Sequence, residues 1–99
     1  MPSYVIVEVK VHDPGKYEEY KKLAFPEVKK YGGKYLTRGG KAEKLEGTTD
    51  PNRVVILEFE SFDKAKEWWN SEGYTKARKI RYEASESRML VVEGLDVPL

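Results

Sequence analysis

Arg38 and Glu58 are the residues of this 99-residue chain whose types and setting best suit acid–base chemistry. Arg38 closes the run Gly32-Gly-Lys-Tyr-Leu-Thr-Arg-Gly-Gly40, in which two glycine pairs bracket a short segment and no helix follows. Glycine takes the left-handed conformation at little cost. The first pair therefore suits the end of a helix, and the second suits a bulge or bend that re-aims the side chains beside it. Glu58 lies in Arg53-Val-Val-Ile-Leu-Glu-Phe59, a carboxylate among apolar residues. Carboxylates in apolar surroundings serve as general bases unless an arginine neutralises them. Two readings stay open. Glu58 removes a proton while Arg38 stabilises the anion that results, or the two form an ion pair that only fixes an interface.

Trp69, Ser71 and Tyr74 form a second group, with Arg81 seven residues beyond Tyr74 on one helical face. Arginine on a mainly apolar stripe needs an anion or a carbonyl as partner. Either Arg81 and Ser71 grip a carboxylate beside Trp69 and Tyr74, or the two aromatics are core and Arg81 reaches past them to solvent or caps a loop. Trp68 and Trp69 are adjacent on a helix, so only one of them can face the core.

The rest of the composition narrows the chemistry. There is no cysteine, and the one histidine, His12, lies in a turn before Asp13-Pro14. A thiolate nucleophile and a Ser-His-Asp or Cys-His set within one chain are therefore excluded. No metal or other cofactor is expected, since one histidine without cysteine makes a poor zinc site and His12 in its turn is poorly placed for haem. Arg38-Gly-Gly-Lys41 lacks the spacing and the following helix of a phosphate loop. Lysines and glutamates are interspersed and the formal charge is +1, which leaves no electrostatic footprint for nucleic acid or an anionic membrane. No apolar run approaches a membrane span and no basic-then-apolar leader opens the chain, so a cytoplasmic setting is expected.

These residues need elements to hold them. From Tyr4 to Val11 the valines alternate with Tyr4, Ile6, Glu8 and Lys10, the pattern of a half-buried strand. Asp13-Pro14 opens a helix as cap and first residue, and Tyr17, Tyr20, Ala24, Val28 and Tyr31 form its inward face, with Pro26 inside it. A second strand is expected from Lys34, bent at Gly39-Gly40 and continuing to Leu45. Arg53–Phe59 reads as a central strand. Ser61 caps a further helix with Phe62, Ala65 and Trp69 as its stripe. Asn70–Gly73 interrupts that helix, and Tyr74–Ala84 resumes it. A last strand runs from Ser87 to Glu93, followed by Gly94 and an apolar tail, Leu95–Leu99. The order, strand-helix-strand-strand-helix-strand, is that of a single ferredoxin-like α+β domain over residues 1–99, an antiparallel sheet with its helices on one face.

The segments GGKYLTRGG (32–40), LEG (45–47), RVVILEFES (53–61), WWNSEGY (68–74) and RYEAS (81–85), with VHDPGKYEEY (11–20), resemble the family called domain of unknown function 1330. The resemblance covers nearly the whole chain. It implies a ferredoxin-like fold in the dimeric α+β-barrel superfamily, which includes cofactor-free monooxygenases, lactone isomerases and haem-handling proteins; it implies no particular reaction.

A partner is expected on physical grounds too. With Val5, Val7 and Val9 turned to the helices, Tyr4, Ile6, Val54, Ile56, Leu90 and Val92 fall on the uncovered face, with Glu8 and Glu58 among them. That is an apolar patch on the order of several hundred Å2, more than soluble monomers usually expose. A homodimer closing these faces together is the expectation. The functional expectation is a small organic ligand, with an acid as one option, held near the sheet by Arg38 or Arg81 and packed by Trp69 and Tyr74. The alternative is a cofactor-independent enzyme, monooxygenase- or isomerase-like, using Glu58 and Arg38.

Overall fold

Alternation of β-branched residues makes β1 (Ser3–Val11) the middle of the molecule. Val5, Val7 and Val9 are buried beneath the helices, while Tyr4 and Ile6 stay half-exposed on the other side. The computed structural model describes residues 1–95. The elements that follow are α1 (Pro14–Lys30), β2 (Lys34–Arg38), β3 (Arg53–Phe59), α2 (Phe62–Asn70), α3 (Glu72–Ala84) and β4 (Ser85–Glu93). The sheet has the order β2-β3-β1-β4, and every pairing is antiparallel. This is the ferredoxin-like arrangement, with α1 packed against α3 over one face.

Local chemistry sets the helix ends. Asp13 accepts from the Lys16 backbone N–H at 3.1 Å, and Pro14 takes the first helical position, where its missing N–H costs nothing. Gly32, at φ 77°, turns the chain out of α1. Ser61 caps α2 through the Lys64 N–H. Ser71 ends α2 and begins α3 at once: its hydroxyl donates to the Trp68 carbonyl at 2.7 Å and accepts from the Tyr74 N–H at 3.2 Å. The expected interruption near Asn70–Gly73 is thus a one-residue joint between two separate helices.

Three expectations need correction. β2 stops at Arg38, and residues 39–52 cross from β2 to β3 without strand structure, so the strand does not reach Leu45. The ladder is irregular before the second glycine pair rather than at it. Tyr35 stands opposite Leu57 and Thr37 opposite Ile56, so Leu36 is an extra, unpaired residue, 53% exposed. On α2, Trp68 is the core tryptophan, not Trp69. Trp68 is buried against Phe59 and Tyr74, whereas Trp69 is half-buried, with the Arg78 guanidinium over its ring at 3.8 Å. The apolar tail expected after Gly94 lies, from residue 96, outside the described residues.

No helix among the described residues is long and apolar enough to cross a membrane.

Candidate functional site

The inner stripe of α1 is made of tyrosines where a simpler core would have leucines, so hydroxyl groups enter the space between helices and sheet. There they meet arginines. A cavity of about 30 Å3 lies between α1, α3 and the sheet, with Tyr17, Tyr20, Tyr35, Tyr74 and the arginines Arg38, Arg53 and Arg81 in its lining. No Asp or Glu among the described residues lines it. Its inner end is formed by buried Trp68, Tyr74 and Arg81, and its outer end by exposed Arg38 and half-exposed Lys21. Room for a water-sized group or two is room for one small acid head group.

Arg81 is 2% exposed and comes from the last turn of α3. It donates from Nη1 to the Tyr74 hydroxyl at 2.6 Å, and the Tyr74 and Tyr20 hydroxyls lie 2.8 Å apart. A phenol has one proton to give. One of the two tyrosine protons satisfies the Tyr20–Tyr74 contact, and the other has no acceptor among the described residues. Burial pushes the Tyr74 hydroxyl far above its ordinary range, with Tyr20 adding to the effect, so Tyr74 is neutral. Burial likewise works against the charge on Arg81, but the hydroxyls of Tyr74 and Tyr20 outweigh it and the side chain stays a guanidinium.

The surplus of donors extends along the cavity. Among the described residues, the buried side-chain nitrogens without a partner are Arg53 Nε, Trp68 Nε1 and Arg81 Nε, and each belongs to a residue of the lining. All are donors. The salt bridges among the described residues are lysine–glutamate pairs, so none of these arginines has a carboxylate. Buried donors without acceptors cost about 1–3 kcal/mol each. An acceptor-rich, negatively charged group is what this cavity lacks.

The expected site residues divide accordingly. Tyr74 and Arg81 are together in the cavity, in direct hydrogen bond. Arg38 is at its mouth, its guanidinium 4.8 Å from the Tyr35 ring centre and 5.8 Å from that of Phe25. Arg38 was expected beside Glu58 on the uncovered face, and that is corrected: the extra residue Leu36 shifts β2 by one, so Arg38 stands opposite Val55 and turns toward the helices. Glu58 remains on the uncovered face, between Tyr4 and Lys34 of the neighbouring strands. Tyr4 is held above its usual pKa, first by desolvation and then by Glu58. Arg38 and Glu58 cannot act on one substrate within a chain. Ser71 does not join Arg81 either. Its hydroxyl is committed to the helix joint, and ten residues of α3 separate the two by about 15 Å along the axis. Trp69 lies outside the cavity lining, 5.9 Å from Tyr74 between ring centres.

Sequence reasoning passed over Tyr17, Tyr20, Tyr35, Trp68 and Arg53 as site residues. Arg53 carried a readable signal. It shares strand parity with Val55, Leu57 and Phe59, so it had to enter the same covered face as the core. His12 is exposed, and no group of three His, Cys, Asp or Glu among the described residues could hold a metal ion.

The model of a domain of unknown function, DUF1330, matches residues 2–95. The chain belongs to this family. Among solved structures, a protein of unknown function from Rhodopseudomonas palustris is similar to this DUF1330 chain, with 22% identity and a TM-score of 0.77, covering 97% of this chain and 84% of that one. SnoaB, a cofactor-independent oxygenase from Streptomyces nogalater, is 13% identical with a TM-score of 0.68, covering 97% and 95%. A dimeric protein of unknown function and ferredoxin-like fold from Bacteroides fragilis is 16% identical with a TM-score of 0.55, covering 94% and 96%. These likenesses show the ferredoxin-like fold. No functionally curated protein matches the chain.

Proposed function

We propose that this DUF1330 chain is a homodimer that binds a small carboxylate-bearing organic molecule in the tyrosine–arginine cavity of each subunit. The observation that carries the binding is Arg81: a guanidinium, buried, with an unpartnered Nε and only a phenol as partner. A carboxylate head at the inner end would accept from Arg81 and from the spare proton of the Tyr20–Tyr74 pair, and would supply the missing charge. The cavity's small size fits a planar head group at that end, with the body of the ligand leaving past Tyr17 and Tyr35 toward Arg38.

The enzyme reading with Glu58 as base and Arg38 as anion stabiliser loses its geometry, because the two side chains are on opposite faces of the sheet. Likeness to an oxygenase at 13% identity speaks for the fold and leaves that loss in place.

Thermal unfolding with acetate and benzoate, against acetamide and benzamide at constant ionic strength, tests the binding. The acids should raise Tm in a saturable way, and the amides should not. Equal effects of acid and amide, or none from either, would overturn the reading.

A further inference from the structure

One acid group does not satisfy this cavity. Three arginines line it, and Lys21, the remaining cation of the lining, is held by Glu18 at 2.8 Å. A monoanion at Arg81 would leave Arg53 and Arg38 without a counter-charge. Arg53 has a built setting of its own. Its Nε is buried without a partner, and its guanidinium lies against Gly39 and 5.7 Å from the Tyr17 ring centre. Gly39 has φ 73°, a conformation that side chains disfavour, and a Cβ there would overlap the Arg53 guanidinium. The backbone at the cavity mouth thus leaves room for a charged fork that has a tyrosine beside it but no carboxylate among the described residues. Arg53 and Arg81 both act on the Tyr17 hydroxyl, lowering a pKa that burial raises first, so the two cations flank one tyrosine of one cavity.

We infer that the ligand is a diacid: one carboxylate at Arg81 at the inner end, and a second acid group at the mouth between Arg53 and Arg38, with the connecting body lying along Tyr17 and Tyr35. This rests on the binding proposed above and names its substrate class. Planar bidentate geometry makes Arg53 the specificity residue for the second group. Arg38, stacked on Tyr35 and exposed, closes over it.

Calorimetric titration of the intact protein with matched pairs tests this: pentanoate against glutarate, and benzoate against benzene-1,4-dicarboxylate, at fixed ionic strength. At least one diacid should bind about tenfold or more tightly than its partner monoacid, the scale of one charge-assisted contact. Arg53→Gln should remove that advantage, so that each diacid binds no more tightly than its partner monoacid. Gly39→Ala, which displaces the same guanidinium without deleting it, should do likewise, so the result does not depend on one variant folding. Circular dichroism confirms the fold of each. Monoacids that bind as well as diacids, or a diacid advantage that survives both substitutions, would overturn the inference and leave carboxylate binding standing. Failure of every acid to bind would overturn both.

Discussion

Arg81 is a buried cation held by hydroxyls alone, so it is expected to serve binding at the expense of stability. Replacing buried ion pairs by apolar residues is often neutral or stabilising by about 1–4 kcal/mol, and here there is not even a carboxylate to lose. Arg81→Met, an unbranched side chain that fills irregular space, should therefore leave Tm unchanged or raise it, while the Tm increase caused by benzoate disappears. A Tm fall of more than a few degrees would make Arg81 a structural residue. That Arg81 and Tyr74 meet was legible from their spacing on one helical face. That Trp68 rather than Trp69 is the core residue was not. Helical periodicity from Phe62 and Ala65 points equally well at positions 68 and 69, and the choice is made by Phe59 and Tyr74, which only the tertiary fold brings to that side.

At the scale of elements, the joint at Ser71 decides how α2 and α3 meet. One hydroxyl serves both helix ends, so Ser71→Ala should remove a cap and a carbonyl partner together, costing about 1–2 kcal/mol. For a domain of this size that is a Tm lower by roughly 4–16 °C, read by thermal denaturation. Carboxylate affinity should stay within about twofold, because Arg81 sits at the other end of α3. Lost binding at unchanged Tm would instead return Ser71 to the ligand. Caps of this kind were legible because they depend on neighbours in sequence: Asp13-Pro14, Ser61 and Gly32 all stand where their chemistry placed them. The irregularity at Leu36 was not legible. Its register is set by pairing with β3, some twenty residues away in sequence, and one extra residue is enough to turn Arg38 from one face of the sheet to the other.

The whole molecule is a sheet covered on one side. On the uncovered side the cross-strand register lines up Leu90, Ile6, Ile56 and Thr37 in one row, between a row of Val92, Tyr4, Glu58 and Lys34 and a row of Arg88, Glu8 and Val54. Leu90 is 39% and Val92 43% exposed. A mainly apolar row bounded by charges of both signs is self-complementary under a two-fold axis, which is the reason to expect two copies to close upon it. This alternation was legible in β1 and β3 from parity alone. Ile56 points away from the cavity, between Ile6 and Thr37 of the neighbouring strands, so Ile56→Lys places like charges near the axis of the pair without disturbing the covered core. Light scattering of the wild-type protein at tens of micromolar should report a dimer. The variant should be a folded monomer there, weakened by about a hundredfold or more, which corresponds to ~3 kcal/mol. A wild-type monomer, or a variant that still dimerises with unchanged affinity, would place the subunit contact elsewhere. The cavity, lying on the other side of the sheet, should bind benzoate equally well in Ile56→Lys, so loss of binding with the dimer would show that the partner subunit completes the site.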